Sequence, residues 1–192
     1  MNDVHRIWCG ITCGLIVLGL IELRQSPATA QTTSPSIVWL VRHADRADNS
    51  PDSVLKKPEG EQRAQDLKTC LGSKGVTAII TTDKNRTVQT AEPIASKEGI
   101  TPVVIPIVET KKGIKQNIET VVEKVRTTPG KVLVVGHSNT LAAIIKQLKG
   151  PSDLGNITVF HRLFILDFSK GAVAFDEMKY GVAPKSSKKA QC

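Results

Sequence analysis

Four side chains carry the chemistry that the sequence suggests: Arg42, His43, Arg86 and His137. Arg42-His43 directly follows the apolar run Ile37-Val38-Trp39-Leu40-Val41, and His137 follows Val132-Leu133-Val134-Val135-Gly136. Runs of this kind read as strands buried on both faces. Arg86 opens a helical stretch just after the β-branched segment Val76–Thr81 and the polar turn Thr82-Asp83-Lys84-Asn85. In open α/β sheets, ligands bind where loops leave the carboxyl ends of the strands. Two histidines and two arginines are therefore expected on one edge, brought together by topology.

Such a set suits phosphoryl chemistry. The arginine fork matches phosphate oxygens, and a neutral imidazole can attack phosphorus and carry the group covalently. A second histidine, if protonated, adds a donor and positive charge. Phosphoryl transfer needs mainly positioning and charge stabilisation. Taken singly, a histidine closing a buried strand is more often a structural, hydrogen-bonded residue. An arginine at a helix start opposes the helix dipole, so Arg86 requires a local anion or a packing reason. A metal centre is the rival, but no carboxylate or cysteine stands at ligand spacing from either histidine. No Gly-rich phosphate loop is present. Neither a metal nor another cofactor is expected.

The elements that must position these residues follow an alternating order. Strands are expected at Ile37–Val41, Val76–Thr81, Pro102–Val108 and Lys131–Gly136, with a closing pair at Leu163–Phe168 and Ala172–Phe175. Helices are expected at Glu59–Leu71, at Arg86–Lys97 with an interruption at Pro93, at Ile114–Arg126 and at Asn139–Lys149. This order predicts one α/β domain, residues 37–182, with a mostly parallel central sheet and helices on both faces.

The flanks read differently. His5 and Arg6 precede a mostly apolar run from Ile7 to Ile21, then Ala28-Thr29-Ala30, the layout of a secretory signal peptide over residues 1–30. The run is shorter than the roughly 20 residues that a spanning helix needs. Cleavage after Ala30 is expected, giving a periplasmic or secreted protein with no stable membrane insertion. An uncleaved anchor is the alternative. Residues 31–36 read as a flexible lead and 183–192 as a lysine-rich, solvated tail. Only Cys70 and Cys192 then remain. An oxidising compartment could pair them, or Cys70 could be half-buried on its helix and Cys192 loose.

The chain has 192 residues and a formal net charge of +8. That charge favours an anionic partner, or electrostatic binding to acidic surfaces. Aromatic residues make up 4%, with Tyr180 the sole tyrosine, which poorly supplies a base-stacking nucleic-acid platform. A small phosphorylated substrate, and no nucleic acid, is the expected partner.

Val41-Arg42-His43-Ala44, Arg86-Thr87-Val88-Gln89-Thr90-Ala91 and Val135-Gly136-His137-Ser138-Asn139-Thr140 resemble, in order, the motifs of the histidine phosphatase superfamily. Gly60 with Gln62-Arg63-Ala64 is similar to the element between the first two motifs. Leu163-Phe164-Ile165 and Met178-Lys179-Tyr180-Gly181 resemble its closing strands. The likeness spans nearly the whole mature chain and is nearest to small secreted bacterial members. It implies a phosphoglycerate-mutase-like fold, with His43 as a nucleophile that forms a phosphohistidine. Arg42, Arg86 and His137 would bind the phosphoryl group. The family's proton donor is usually an acid between the second and third motifs, and Glu109 is the candidate, a solvated loop glutamate being the alternative. Asp45 and Arg46 could line the pocket mouth or cap the loop. Asn139 could bind substrate, orient the second histidine or cap a helix. His161 reads as structural or surface. The resemblance implies a phosphatase for small monoesters; a non-catalytic phosphate- or phospholigand-binding protein of the same fold is the other reading.

Overall fold

The computed structural model describes residues 34–181. The expected signal peptide, the first half of the lead, the lysine-rich tail and Cys192 lie outside the described residues.

The chain alternates β1 (Pro35–Arg42), α1 (Glu59–Leu71), β2 (Ala78–Thr82), α2 (Asn85–Glu98), β3 (Val103–Ile105), α3 (Lys111–Arg126), β4 (Gly130–Gly136) and α4 (Leu141–Gln147). It closes with β5 (Arg162–Asp167) and β6 (Ala174–Lys179). The six strands form one sheet in the order β3-β2-β4-β1-β5-β6. β1, β4, β2 and β3 run parallel, while β5 and β6 pair antiparallel. The expected mostly parallel α/β sheet is therefore found, with β5 alone running against the other five strands.

Pleating sorts the apolar strand residues onto two faces. Val38, Leu40, Val132 and Val134 pack with Ile118, Val121, Val122 and Val125 of α3 and Leu141, Ile144 and Ile145 of α4. Trp39, Val41, Leu133 and Val135 pack with Leu67 and Leu71 of α1 and Ala91 and Ile94 of α2. With both faces covered, β1 and β4 must be apolar throughout, which is why their sequences show runs instead of alternation.

Several boundaries depart from the sequence reading. Pro35 and Ser36 belong to β1 and not to a flexible lead, because Pro35 pairs with Gly130 and Ser36 Oγ donates to the Gly130 carbonyl. Pro93 does not interrupt α2; proline removes one amide donor, and buried Ile94 beside it holds the helix to the sheet. β3 stops at Ile105 because Pro106 has no N–H to continue the ladder. α4 starts at Leu141, not Asn139. β6 runs to Lys179, well past Phe175; its half-polar sequence is carried by pairing with β5 and by Arg162 donating twice to Glu177 at 2.9 Å.

Candidate active site

β1 and β4 are neighbours in parallel register, with Arg42 opposite Gly136. The His43 amide donates to the Gly136 carbonyl at 3.0 Å, so the ladder extends one residue past each strand. That pairing puts the ring centroids of His43 and His137 5.4 Å apart. β2 lies on the other side of β4, and the loop after it delivers Arg86 to the same edge. The loop after β3 brings Glu109. Together Arg42, His43, Arg46, Arg86, Glu109, His137, Ser138 and Asn139 line a pocket of about 380 Å³. The four residues singled out for chemistry do meet. A larger groove of about 520 Å³, lined by residues of α1, α2 and Leu55, contains none of them.

His43 is held in one neutral tautomer. Its Nδ1 lies 2.8 Å from the Ala44 carbonyl, which can only accept, so Nδ1 carries the proton and Nε2 keeps its lone pair. Burial, helped by the charges of Arg42, Arg86 and Arg46, pushes its pKa down to about 3. The ring is therefore neutral near pH 7. Ala44, directly after it, donates its amide to Thr90 Oγ1 at 2.8 Å, and that hydroxyl donates to the Arg86 carbonyl at 2.6 Å. One threonine thus ties the loop of His43 to the helix that bears Arg86.

The arginines are fixed by backbone carbonyls, leaving donors over. Arg86 is buried, and its Nη1 donates to the Pro51 carbonyl at 2.6 Å while Nη2 lies 3.5 Å from Glu109 Oε1. These partners, an anion among them, answer the helix-dipole objection to an arginine at this point. Arg42 Nη1 donates to the Thr158 carbonyl, and its guanidinium lies 3.9 Å from the centre of the Phe160 ring. Phe160 also tilts against His43, with ring centroids 5.9 Å apart. The Nε groups of both arginines are buried without a partner. Two unsatisfied cationic donors beside an imidazole lone pair fit an anion with several oxygens.

His137 is neutral in this state, so the charge it would add if protonated is not present in the free site. Burial first, then the charges of His43, Arg86, Lys84 and Arg42, push its pKa down to about 3. Its Nε2 lies 3.0 Å from Thr82 Oγ1, which lies 2.9 Å from Thr87 Oγ1. Thr87 Oγ1 faces the carbonyls of Lys84 at 2.8 Å and Thr82 at 3.1 Å. Carbonyls only accept, so the Thr87 proton goes to one of them. All the contacts are then satisfied in one arrangement: Thr82 donates to Thr87, and His137 Nε2–H donates to Thr82. The backbone of His137 is held by Thr140, whose Oγ1 accepts from the His137 amide at 3.2 Å.

Residues 38–108 match the family model of the histidine phosphatase superfamily (branch 1). Over that stretch the chain is similar to the superfamily. No curated protein sequence matches the chain significantly. Solved structures share the fold of this chain. A candidate alpha-ribazole-5'-P phosphatase from Escherichia coli superposes with a TM-score of 0.60 at 16% identity, covering 78% of this chain and 100% of that one. A mycobacterial glucosyl-3-phosphoglycerate phosphatase gives 0.54 at 14% identity, covering 77% and 99%. A candidate phosphohistidine phosphatase from Agrobacterium tumefaciens gives 0.50 at 20% identity, covering 78% and 99%. At these identities the likeness is one of fold.

Around this pocket the remaining candidates separate. Asn139 lines the pocket, but Thr82 and Thr140, not Asn139, bond His137. Arg46 is at the pocket, whereas Asp45 is absent from its lining and pairs with Arg63 Nε at 2.5 Å. His161 lies outside the pocket; its carbonyl accepts from the Tyr180 amide at 3.0 Å. Thr82, Thr87, Thr90, Thr140, Phe160 and the Pro51 carbonyl were not singled out by the sequence reading. Thr140, three residues after His137, has the spacing at which a hydroxyl meets a backbone amide, which is a readable sign.

Proposed function

We propose that the protein hydrolyses small phosphate monoesters through a phosphohistidine on His43, and that it does so outside the cytoplasm after cleavage behind Ala30. The single observation that carries this reading is the His43 Nδ1–Ala44 bond, which leaves Nε2 unprotonated beside the unpartnered Nε donors of Arg42 and Arg86.

In the first step the Nε2 lone pair forms a bond to phosphorus as the ester oxygen leaves with its electron pair. Glu109 gives that oxygen a proton. In the second step Glu109 takes a proton from water, whose oxygen bonds phosphorus as the phosphorus–nitrogen bond breaks. Phosphate leaves and both side chains return to their starting state. Arg42 and Arg86 hold the equatorial oxygens in both steps, and their positive charge offsets the charge that develops there. Imidazole nucleophilicity needs no proton removal here, because burial has already emptied Nε2.

The test incubates the full-length chain with a chromogenic aryl phosphate from about pH 4 to about pH 8, beside His43→Ala. An aryl oxide leaves readily, so this measures the nucleophile without leaning on Glu109. Turnover in the parent that disappears in the variant is expected; equal turnover in both would sink the phosphohistidine.

The second reading, a non-catalytic phosphate- or phospholigand-binding protein, draws on Glu109. Its carboxylate faces Arg86 at 3.5 Å with half the side chain exposed, so it is already engaged by a pocket arginine. Glu109→Gln separates the two readings: an enzyme slows with alkyl phosphates, whereas a binding protein keeps its phosphate affinity and shows no turnover to lose.

A further inference from the structure

Cys70 is disulfide-bonded. It is the one cysteine among the described residues, so its partner is Cys9, Cys13 or Cys192. Cys70 sits near the end of α1 and is buried, at 5% exposure, in the cluster that holds Trp39, Leu67, Leu71 and Tyr180. The partner must therefore be carried to this cluster by its own stretch of chain.

The described chain ends beside that point. Tyr180 is fully buried in the same cluster as Cys70. Gly181 then lies against α1: a Cβ built on it would stand 2.7 Å from Asp66 Oδ2 and 3.4 Å from Arg63 Nη1. Arg63, Asp66 and Cys70 follow one another at spacings of three and four, so they share one stripe of the helix. Four residues of helix separate Asp66 from Cys70, about 6 Å along the axis. Cys192 comes 11 residues after Gly181, and an extended chain covers about 3.3 Å with each residue. The tail thus starts on the stripe that carries Cys70 and has several times the reach required. Cys9 and Cys13 precede Ala30 and leave with the segment whose cleavage is proposed above.

We propose that Cys70 is joined to Cys192, closing the C-terminal tail onto α1 as a covalent strap. Each thiol gives up one proton and one electron as the sulfur–sulfur bond forms. Both electrons pass by thiol–disulfide exchange to an oxidising dithiol protein, whose own disulfide becomes two thiols. The bond ties the end of β6, an edge strand, to the helix that covers one face of the sheet. Chain ends are where fraying concentrates unless they are tied down. The two cysteines stand 122 positions apart, and a crosslink restrains the unfolded chain more as the loop it closes grows longer. The strap rests on the export part of the proposed function and on none of the catalysis.

The experiment expresses the full-length chain through an oxidising export route, blocks free thiols with iodoacetamide and digests the protein with trypsin without reductant. Mass spectrometry should find Thr69–Lys74 joined to Ala190–Cys192, lighter than the two peptides together by two hydrogen atoms, and separated on reduction. Cys70 that carries the alkyl block, or is joined to Cys9, Cys13 or a second copy, overturns the proposal. Urea unfolding then reads the strap itself. Reductant should lower the midpoint of the parent by about 1 M and leave Cys192→Ser, already at the lower value, unmoved. Equal midpoints for the parent and Cys192→Ser without reductant overturn the strap. Cys192→Ser leaves the buried Cys70 and its neighbours as they are, so the fold survives the test. Neither measurement uses turnover, so a failed strap and a failed phosphatase are told apart.

Discussion

His137 Nε2 lies 3.0 Å from Thr82 Oγ1, a contact between residues 55 apart in the chain. Because Thr82 passes its own proton to Thr87, it can only accept from the ring. The neutral His137 is therefore locked in one tautomer, with its proton spent on Thr82. To offer a phosphoryl group a second N–H, the ring must take up a proton.

Phosphate binding near pH 7 should accordingly draw protons from solution. The bound dianion favours the charged ring, raising a pKa that stands at about 3 in the free site. Calorimetry in buffers of different ionisation enthalpy should show net uptake, lost in His137→Gln. Buffer-independent heats would show that the ring stays neutral when the anion binds.

Thr82 acts through His137 and is a positioning residue. Thr82→Val should lower kcat/KM for an aryl phosphate by about tenfold or more, the usual cost of stranding a buried donor. Thr82→Ser should restore most of it. The proton uptake should also change in Thr82→Val, since the ring is then free to adopt the other tautomer; a merely structural threonine would leave it as it is.

Acid stability follows from the two buried histidines. An unfolded histidine titrates near 6.5, whereas His43 and His137 titrate at about 3 in the fold. Below about pH 6.5 the unfolded chain binds more protons, so stability is full above that value and falls as pH drops towards 3. Each ring contributes a slope of about 1.4 kcal/mol per pH unit within that window. Urea unfolding at stepped pH should show the loss, and His43→Gln or His137→Gln should flatten it. Imidazole resonances of the two rings should also stay put between about pH 5 and pH 8.

Phe160 braces two pocket side chains at once, lying against both Arg42 and His43. Phe160→Leu keeps apolar bulk and loses the ring face, so Arg42 loses its cation–π partner. The expected change is a rise in KM of about three- to tenfold, with kcat less affected. Steady-state kinetics with phenyl phosphate decide it, and an unchanged KM would remove Phe160 from the account.

Tyr180 is fully buried and its hydroxyl has no partner. Tyr180→Phe should leave stability unchanged or raise it by up to about 1 kcal/mol. A loss of more than about 1 kcal/mol in urea unfolding would show that the hydroxyl is bonded, Arg63 and Asp45 being the charged groups nearest at hand.

Arg42, His43, Arg86 and His137 were legible because each follows an uninterrupted apolar run or opens a helix, and strand order then leaves them one edge to share. Thr82, Thr87 and Thr90 were not. A hydroxyl can bond almost any neighbour, and Thr82 finds His137 only after β2 and β4 pair. Phe160 likewise comes from an irregular stretch with no periodicity to place it. β6 was half missed for a related reason: Ala174–Lys179 has a polar, edge-strand sequence, so its structure comes from its pairing with β5 and not from local preference.

The bond from the His43 amide to the Gly136 carbonyl also bears on folding. It joins residues that lie 93 positions apart, so closing it requires one of the long loops that slow a chain's search. No fragment short of β4 holds both histidines in place. Recovery of activity during refolding should therefore trail the return of helical signal, and so time the moment at which the first and fourth strands zip together.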